Sequence, residues 1–179
     1  MEGFYEMTIA GLKRNLPICP VNEKLDIAGF IMFNDVEITV ACAEALLKKC
    51  PEFDYIVTAE CKGIPLAYEM ARQSNKPYIV ARKGKKLYMR DPIEVDVESI
   101  TTVGVQHLVL DRNEGDLISG KRVLIADDVV STGESLAAVE KLVETAGGIV
   151  VGKAFVLAEG DAAERDDIIY LEPLPLFFK

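Results

Sequence analysis

Val123 to Leu136 reads VLIADDVVSTGESL, and this run decides the fold. Arg122 to Ala126 is a short apolar stretch with no polar alternation, the pattern of a strand covered on both faces. Asp127 and Asp128 follow at once. Ser131, Thr132, Gly133, Glu134 and Ser135 then form a polar turn opening a helix from about Gly133 to Ala146, which Gly147 and Gly148 terminate. A helix start presents free backbone N–H groups and a favourable dipole, and Ser131, Thr132 and Ser135 add hydroxyls. Gly133 lets a ligand approach the backbone closely, so the turn suits a phosphate dianion. The two carboxylates upstream can accept hydrogen bonds from vicinal sugar hydroxyls. On spacing alone, the same run reads equally as a strand ending at Asp128 and an ordinary Ser131 or Thr132 helix cap.

The flanking sequence repeats the strand-then-helix theme. Asp35 to Lys49 places Val36, Val40, Ala43, Leu46 and Leu47 at helical spacing, with Asn34 or Asp35 as N-cap and Pro51 beyond the end. Tyr55 to Thr58 is a short buried strand. Cys61 to Ser74 resumes helical spacing with Pro65 in the first turn. Pro77 to Arg82 is another buried strand, whereas Ile93 to Val97 alternates apolar and acidic residues as a half-exposed edge strand does. With Gly104 as a turn and Val105 to Leu110 returning, residues 88 to 111 read as an antiparallel excursion. His107 falls there as a strand residue rather than an acid or base. Ile149 to Ala158 and Ile168 to Leu171 supply later strands.

This alternation predicts an α/β fold: a doubly wound parallel sheet with helices on both faces. The whole chain, 1–179, reads as one domain, with a core over about 35–167 and a small hood from about 1–34 and 168–179. Ligands in such sheets gather beyond the carboxyl ends of the strands, which points to the loops after Thr58, Arg82 and Ala126.

Composition narrows the function. A formal net charge of -9 opposes general binding to nucleic acid or an anionic membrane, so neither is an expected partner. The basic stretch Arg82, Lys83, Lys85, Lys86 and Arg90 stands out against that background. Charge, Gly or Pro interrupts every apolar run before membrane-spanning length, and the N-terminus lacks the basic start and apolar core of an export signal, so a cytoplasmic location is expected. The four cysteines form no CxxC pair, and burial is expected for Cys19, Cys42 and Cys50.

The full run from Val123 closely resembles the signature by which type I phosphoribosyltransferases bind 5-phosphoribosyl 1-diphosphate (PRPP): an apolar strand, two acidic residues, two apolar residues, then Ser/Ala-Thr-Gly-X-Ser/Thr. Val57 to Ala67, VTAECKGIPLA, resembles the family's pyrophosphate loop, with Cys61-Lys62 where adenine enzymes commonly carry Ala-Arg. Tyr78 to Lys86, YIVARKGKK, is similar to the strand and basic loop of adenine phosphoribosyltransferases. The resemblance covers about residues 31 to 158.

It implies transfer of ribose 5-phosphate from PRPP to a nucleobase, with Mg²⁺ brought by PRPP and Asp127 and Asp128 at the ribose and metal. Ser131 to Ser135 then take the 5'-phosphate, with the Glu134 side chain expected to point outward. Backbone amides around Glu60, Cys61 and Lys62 take the diphosphate, with charge from Lys62, Arg82, Lys83 and Lys86, and Cys61 acts through its backbone. Val129, Val130, Ile31 and Phe33 are expected to clamp the base. The basic loop reaches a neighbouring subunit in the family, which implies a homodimer. Adenine is the expected base, because the segment Gly29 to Phe33 reads like the adenine enzymes' hood. Ser99 to Asp111, however, lacks their Tyr and Glu ahead of a Gly, so hypoxanthine, guanine, xanthine and orotate stay open, as does a non-catalytic PRPP sensor.

Overall fold

The computed structural model describes residues 3–98 and 105–179. The central sheet has five parallel strands in the order β10-β9-β8-β4-β5, formed by Ile169–Leu174, Ile149–Glu159, Arg122–Val130, Tyr55–Ala59 and Tyr78–Ala81. From β4 the chain passes to β5 on one side, whereas β8, β9 and β10 follow in turn on the other. The strand order therefore reverses between β4 and β8, where a crevice must open at the carboxyl ends.

Two helices, α1 (Val36–Leu47) and α2 (Ile64–Ser74), cover one face. Helix α1 begins where predicted, with the Asp35 side chain accepting from the Ile38 N–H at 3.1 Å. Arg14 holds the same carboxylate through Nε at 2.6 Å and Nη2 at 3.0 Å, tying the hood to the helix start. On the other face, α4 (Glu134–Thr145) packs against the two-stranded antiparallel ladder β6 (Ile93–Glu98) and β7 (Val105–Leu110). Leu124 and Ala126 of β8 pack on the first side, whereas Val123, Ile125 and Val130 pack on the second, so the strand is sandwiched as its unbroken apolar character requires. Each fully buried Val or Leu there contributes roughly 1.5–3 kcal/mol relative to exposure.

The hood is a four-stranded antiparallel sheet, β1-β2-β3-β11, formed by Phe4–Ile9, Leu12–Asn22, Leu25–Ala28 and Leu176–Phe178. The chain's end crosses to it to pair Phe177 with Asp26, and Lys179 Nζ lies 2.7 Å from the buried Asp26 carboxylate.

Several expectations need correction. Residues 169–174 pair with β9 and belong to the main sheet, so of the segment 168–179 only β11 joins the hood. Strand β8 does not stop at Ala126 but carries Asp127 to Val130 within it, because its pairing with β9 continues to Ala158. A short helix, α3 (Arg112–Ile118), follows the excursion unforeseen. Cys19 is exposed on β2, whereas Cys42 is buried and Cys50 half-buried. Burial pushes the Cys42 thiol up to about 12 and Cys50 to about 11. The expected turn at Gly104 lies outside the described residues.

Candidate active site

A cleft of about 590 Å³ opens at the reversal point. The loop after β4 supplies Glu60, Cys61 and Lys62, the end of β8 supplies Asp127, Asp128 and Val129, and the hood closes over them with Ala28 to Ile31. Gln106 and Leu108 of β7 form another wall, and Glu159 and Leu174 come from the ends of β9 and β10.

Asp128 is 3% exposed, yet none of the described residues donates a hydrogen bond to its Oδ2. Its ionic partner is Lys62, with Nζ 3.5 Å away. A buried carboxylate oxygen without a donor is costly unless a ligand completes its shell. Asp127 accepts the Asp128 N–H through Oδ1 at 2.8 Å. Burial, then the Asp128 charge, pushes the Asp127 carboxyl well above its ordinary range. The Asp127 side chain packs over Gly63 beside the buried Thr58 hydroxyl, and a Cβ on Gly63 would collide with Asp127 Oδ1 and Thr58 Oγ1. Glycine is required there for the β4 loop to reach β8.

Below the acidic pair lies a smaller cavity of about 70 Å³, lined by Ser131, Thr132, Gly133 and Ser135 at the start of α4. Gly133 is the N-cap residue at φ 83°, a left-handed conformation in which a side chain is strained. Ser131 and Ser135 line both this cavity and the cleft, making the two continuous. The cavity has phosphate size and hydroxyl donors, and the cleft above it has room for a sugar and a flat ring.

The basic loop approaches from β5. Lys83 lines the cleft, and its N–H donates to Glu60 Oε2 at 3.0 Å. Arg82 Nη1 lies 3.4 Å from Glu60 Oε1. These contacts, first the Lys83 N–H and then the Lys86 and Arg82 charges, hold the Glu60 carboxyl below its ordinary range. Lys86 stands back from the cleft, with its N–H on Met89 Sδ at 3.4 Å.

Two of the four residues expected at the base do not reach the cleft. Val129 and Ile31 line it. Val130 turns to the opposite side of β8 and packs in the core under α4, because successive strand residues face opposite ways. Phe33 lies in the turn, just before Asn34 at φ 65°, and it faces a separate apolar groove of about 310 Å³ with Val36, Val40, Pro65 and Tyr68. Phe30, two residues after Ala28, occupies the cleft wall instead. Glu159, Gln106 and Leu174 were not foreseen. His107 turns away from the cleft between Gln106 and Leu108, and its Nδ1 lies 2.7 Å from Asp96 Oδ1.

A parallel five-stranded sheet with a phosphate-sized cavity at a helix start and an acidic pair above it is the arrangement of a phosphate-binding α/β domain. Residues 37–174 match the family model described as the phosphoribosyl transferase domain, and the chain belongs to that family. A xanthine phosphoribosyltransferase from Exiguobacterium is 35% identical over 122 residues, covering 68% of this chain and 62% of the relative. An adenine phosphoribosyltransferase from Cenarchaeum symbiosum is 37% identical over 128 residues, 70% of this chain and 72% of the relative. A hypoxanthine/guanine phosphoribosyltransferase from Methanococcus voltae is 36% identical over 112 residues, 63% of this chain and 56% of the relative. The chain thus spans only 62% and 56% of the xanthine and hypoxanthine/guanine relatives. Among solved structures, the adenine phosphoribosyltransferase of Thermoanaerobacter pseudethanolicus superposes with a TM-score of 0.65 at 24% identity, covering 95% of both chains. The Leishmania donovani enzyme reaches 0.67 at 20% identity, covering 97% of this chain and 76% of that one. These likenesses establish the fold. The named relatives act on different purines.

Proposed function

We propose that the chain is a purine phosphoribosyltransferase that moves the ribose 5-phosphate of PRPP onto a nucleobase, adenine foremost, with release of pyrophosphate. The observation that carries this reading is the convergence on one cleft of Lys62, the Asp127-Asp128 pair, the Ser131–Ser135 turn and the apolar hood segment.

In this reading the 5'-phosphate enters the cavity at the α4 start and meets the N–H groups and hydroxyls of Ser131, Thr132 and Ser135. Asp127 and Asp128 accept from the ribose hydroxyls. The diphosphate lies over the Glu60–Lys62 loop, where Lys62 and Lys83 offset the charge that grows as the anomeric bond breaks. The base stacks between Val129 and the hood residues Phe30 and Ile31, which aligns its ring nitrogen with the anomeric carbon. Hood and excursion keep water from an oxocarbenium-like transition state.

Magnesium is characteristically held by one or two carboxylates together with substrate oxygens. The donor-free Asp128 Oδ2 and its neighbour Asp127 fit that pattern and are the residues that would hold the ion. When bound it supplies charge neutralisation to the departing diphosphate.

A homodimer belongs to the same reading. The exposed side chains of Phe33, Val36, Val40 and Tyr68 give a second copy an apolar face to bury.

Calorimetry with PRPP and Mg²⁺, followed by turnover of adenine, hypoxanthine, guanine, xanthine and orotate, tests the proposal. Adenine is expected to exceed hypoxanthine by at least about tenfold in kcat/KM, because hood backbone groups that satisfy an amino group meet an oxo group with mismatched polarity. Preference for a 6-oxopurine would overturn the choice of adenine. Tight PRPP binding without turnover of any base would make the chain a sensor.

A further inference from the structure

Glu159 is a cleft-lining carboxylate for which the mechanism above has no use. It ends β9, where its Cα pairs with Leu174 of β10, and it shares the cleft wall with Leu174, Gly29, Ile31 and Val129. Val129 pairs with Leu157, and Glu159, two residues further along β9, comes out on the same side. It is half-buried, and among the described residues none donates a hydrogen bond to its carboxylate. Burial raises its pKa, and the nearby Lys62 charge opposes that rise.

A half-buried carboxylate that lines the cleft with no hydrogen-bond donor among the described residues, only the nearby Lys62 charge, needs a reason. It cannot serve the diphosphate or the 5'-phosphate, since like charges repel at short range. Those groups also have their own donors in Lys62, Lys83 and the α4 start. Glu159 pairs with Leu174 of β10, and the cleft it lines also holds Val129 and the hood residues, the apolar compartment in which the proposed reading places the base. An ionised carboxylate only accepts hydrogen bonds, so the complementary ligand edge carries N–H donors. In the proposed reading hood backbone groups take one N–H of the exocyclic amino group, and a second acceptor from the β9 side can take the other.

We infer that Glu159 is a specificity-determining residue that accepts a hydrogen bond from the exocyclic amino group of the incoming base and disfavours an oxo group at that place. The inference rests on the purine phosphoribosyltransferase reading and names the residue that discriminates within it. A site built to hydrogen-bond a donor rejects the analogue lacking it far more strongly than an apolar pocket does.

The test compares kcat/KM for adenine and hypoxanthine in the wild-type chain, Glu159→Gln and Glu159→Asp, with PRPP affinity measured alongside by calorimetry. Glutamine both donates and accepts, so the adenine-to-hypoxanthine ratio is expected to fall at least about tenfold while the PRPP Kd stays within about twofold. Aspartate keeps the charge but withdraws it by one methylene, and it should lower the ratio while remaining foldable if glutamine is not. A wild-type preference for hypoxanthine would overturn the adenine reading and this inference together. A wild-type adenine preference that survives both substitutions would overturn the inference alone, as would a loss of PRPP affinity as large as the loss of discrimination.

Discussion

Lys62 Nζ lies 3.5 Å from Asp128 Oδ2, so the cation that follows β4 and the carboxylate near the end of β8 meet across the join of the two central strands. Neither residue is in the other's sequence neighbourhood. The pairing exists because β4 and β8 are adjacent parallel strands whose carboxyl ends open on the same side. It leaves one cation facing the carboxylate already present and, in the proposed reading, the incoming diphosphate.

Replacing Asp128 by Asn removes the charged acceptor and leaves Lys62 unpaired. Hydrogen bonds to charged groups contribute roughly 1.5–3 kcal/mol, so PRPP affinity is expected to fall about ten- to a hundredfold. Isothermal calorimetry with Mg²⁺ reads this directly. An unchanged Kd would remove Asp128 from the ribose site.

Gly63→Ala introduces a Cβ that collides with Asp127 Oδ1 and Thr58 Oγ1 and lies 3.0 Å from the Asp127 Cα. The backbone at Gly63 has φ -76°, so strain from glycine's conformational freedom is not the issue. The clash is. Overpacking of this kind costs about 1–3 kcal/mol, and turnover should fall as the acidic pair shifts. Urea denaturation and steady-state kinetics on the same sample check both.

Stability below pH 4 should depend on Asp54. Its carboxylate accepts from the Arg122 backbone N–H and from the guanidinium Nε and Nη2, which hold its pKa down to about 2. A depressed folded-state pKa contributes stability that is full above the unfolded value near 4 and is lost as pH falls through about 2. Asp54→Asn should therefore flatten the acid limb of the stability profile between about pH 4 and 2, measured by denaturant melts at fixed pH. An unchanged slope would assign that limb to other carboxylates.

His107→Gln should leave turnover within about twofold, because the ring faces Glu94 and Asp96 on the side of the excursion away from the cleft. Abolished activity would show that the ladder's outward face takes part in the reaction.

Val36→Asp tests the dimer. Acidic residues suit the first turn of a helix, so the fold should persist, while a charge placed in the apolar groove beside Phe33 opposes burial against a second copy. Sedimentation velocity should show a dimer for the wild-type chain and a monomer for the variant.

Strands such as Tyr55–Ala59 and the helix opened by Asp35 were legible because burial on two faces and a capping side chain each leave a local pattern. The Ser131–Ser135 turn was legible for the same reason. What the residues could not reveal was direction. Once β8 proved to run on to Val130, alternation sent Val129 and Val130 to opposite sides, and Phe33 fell in the turn before α1, facing a separate groove. Glu159 sits at the end of a long apolar strand and looks like its polar stop. Only the topology, by laying β9 between β8 and β10, brings it to the cleft. Likewise, nothing in the sequence near Ile169 distinguishes a strand of the main sheet from one of the hood.

The pairing of Phe177 with Asp26 bears on how the protein is made. Synthesis runs from the N-terminus, so β1 to β3 leave the ribosome early and stay an unfinished three-stranded sheet with one bare edge. Only when residues 176–178 emerge can that edge be closed, after every strand of the main sheet already exists. Contacts between segments so far apart in sequence are slow to close. The four-stranded hood is thus completed only after β10 has been made, so it closes later than the strands of the sheet beside it.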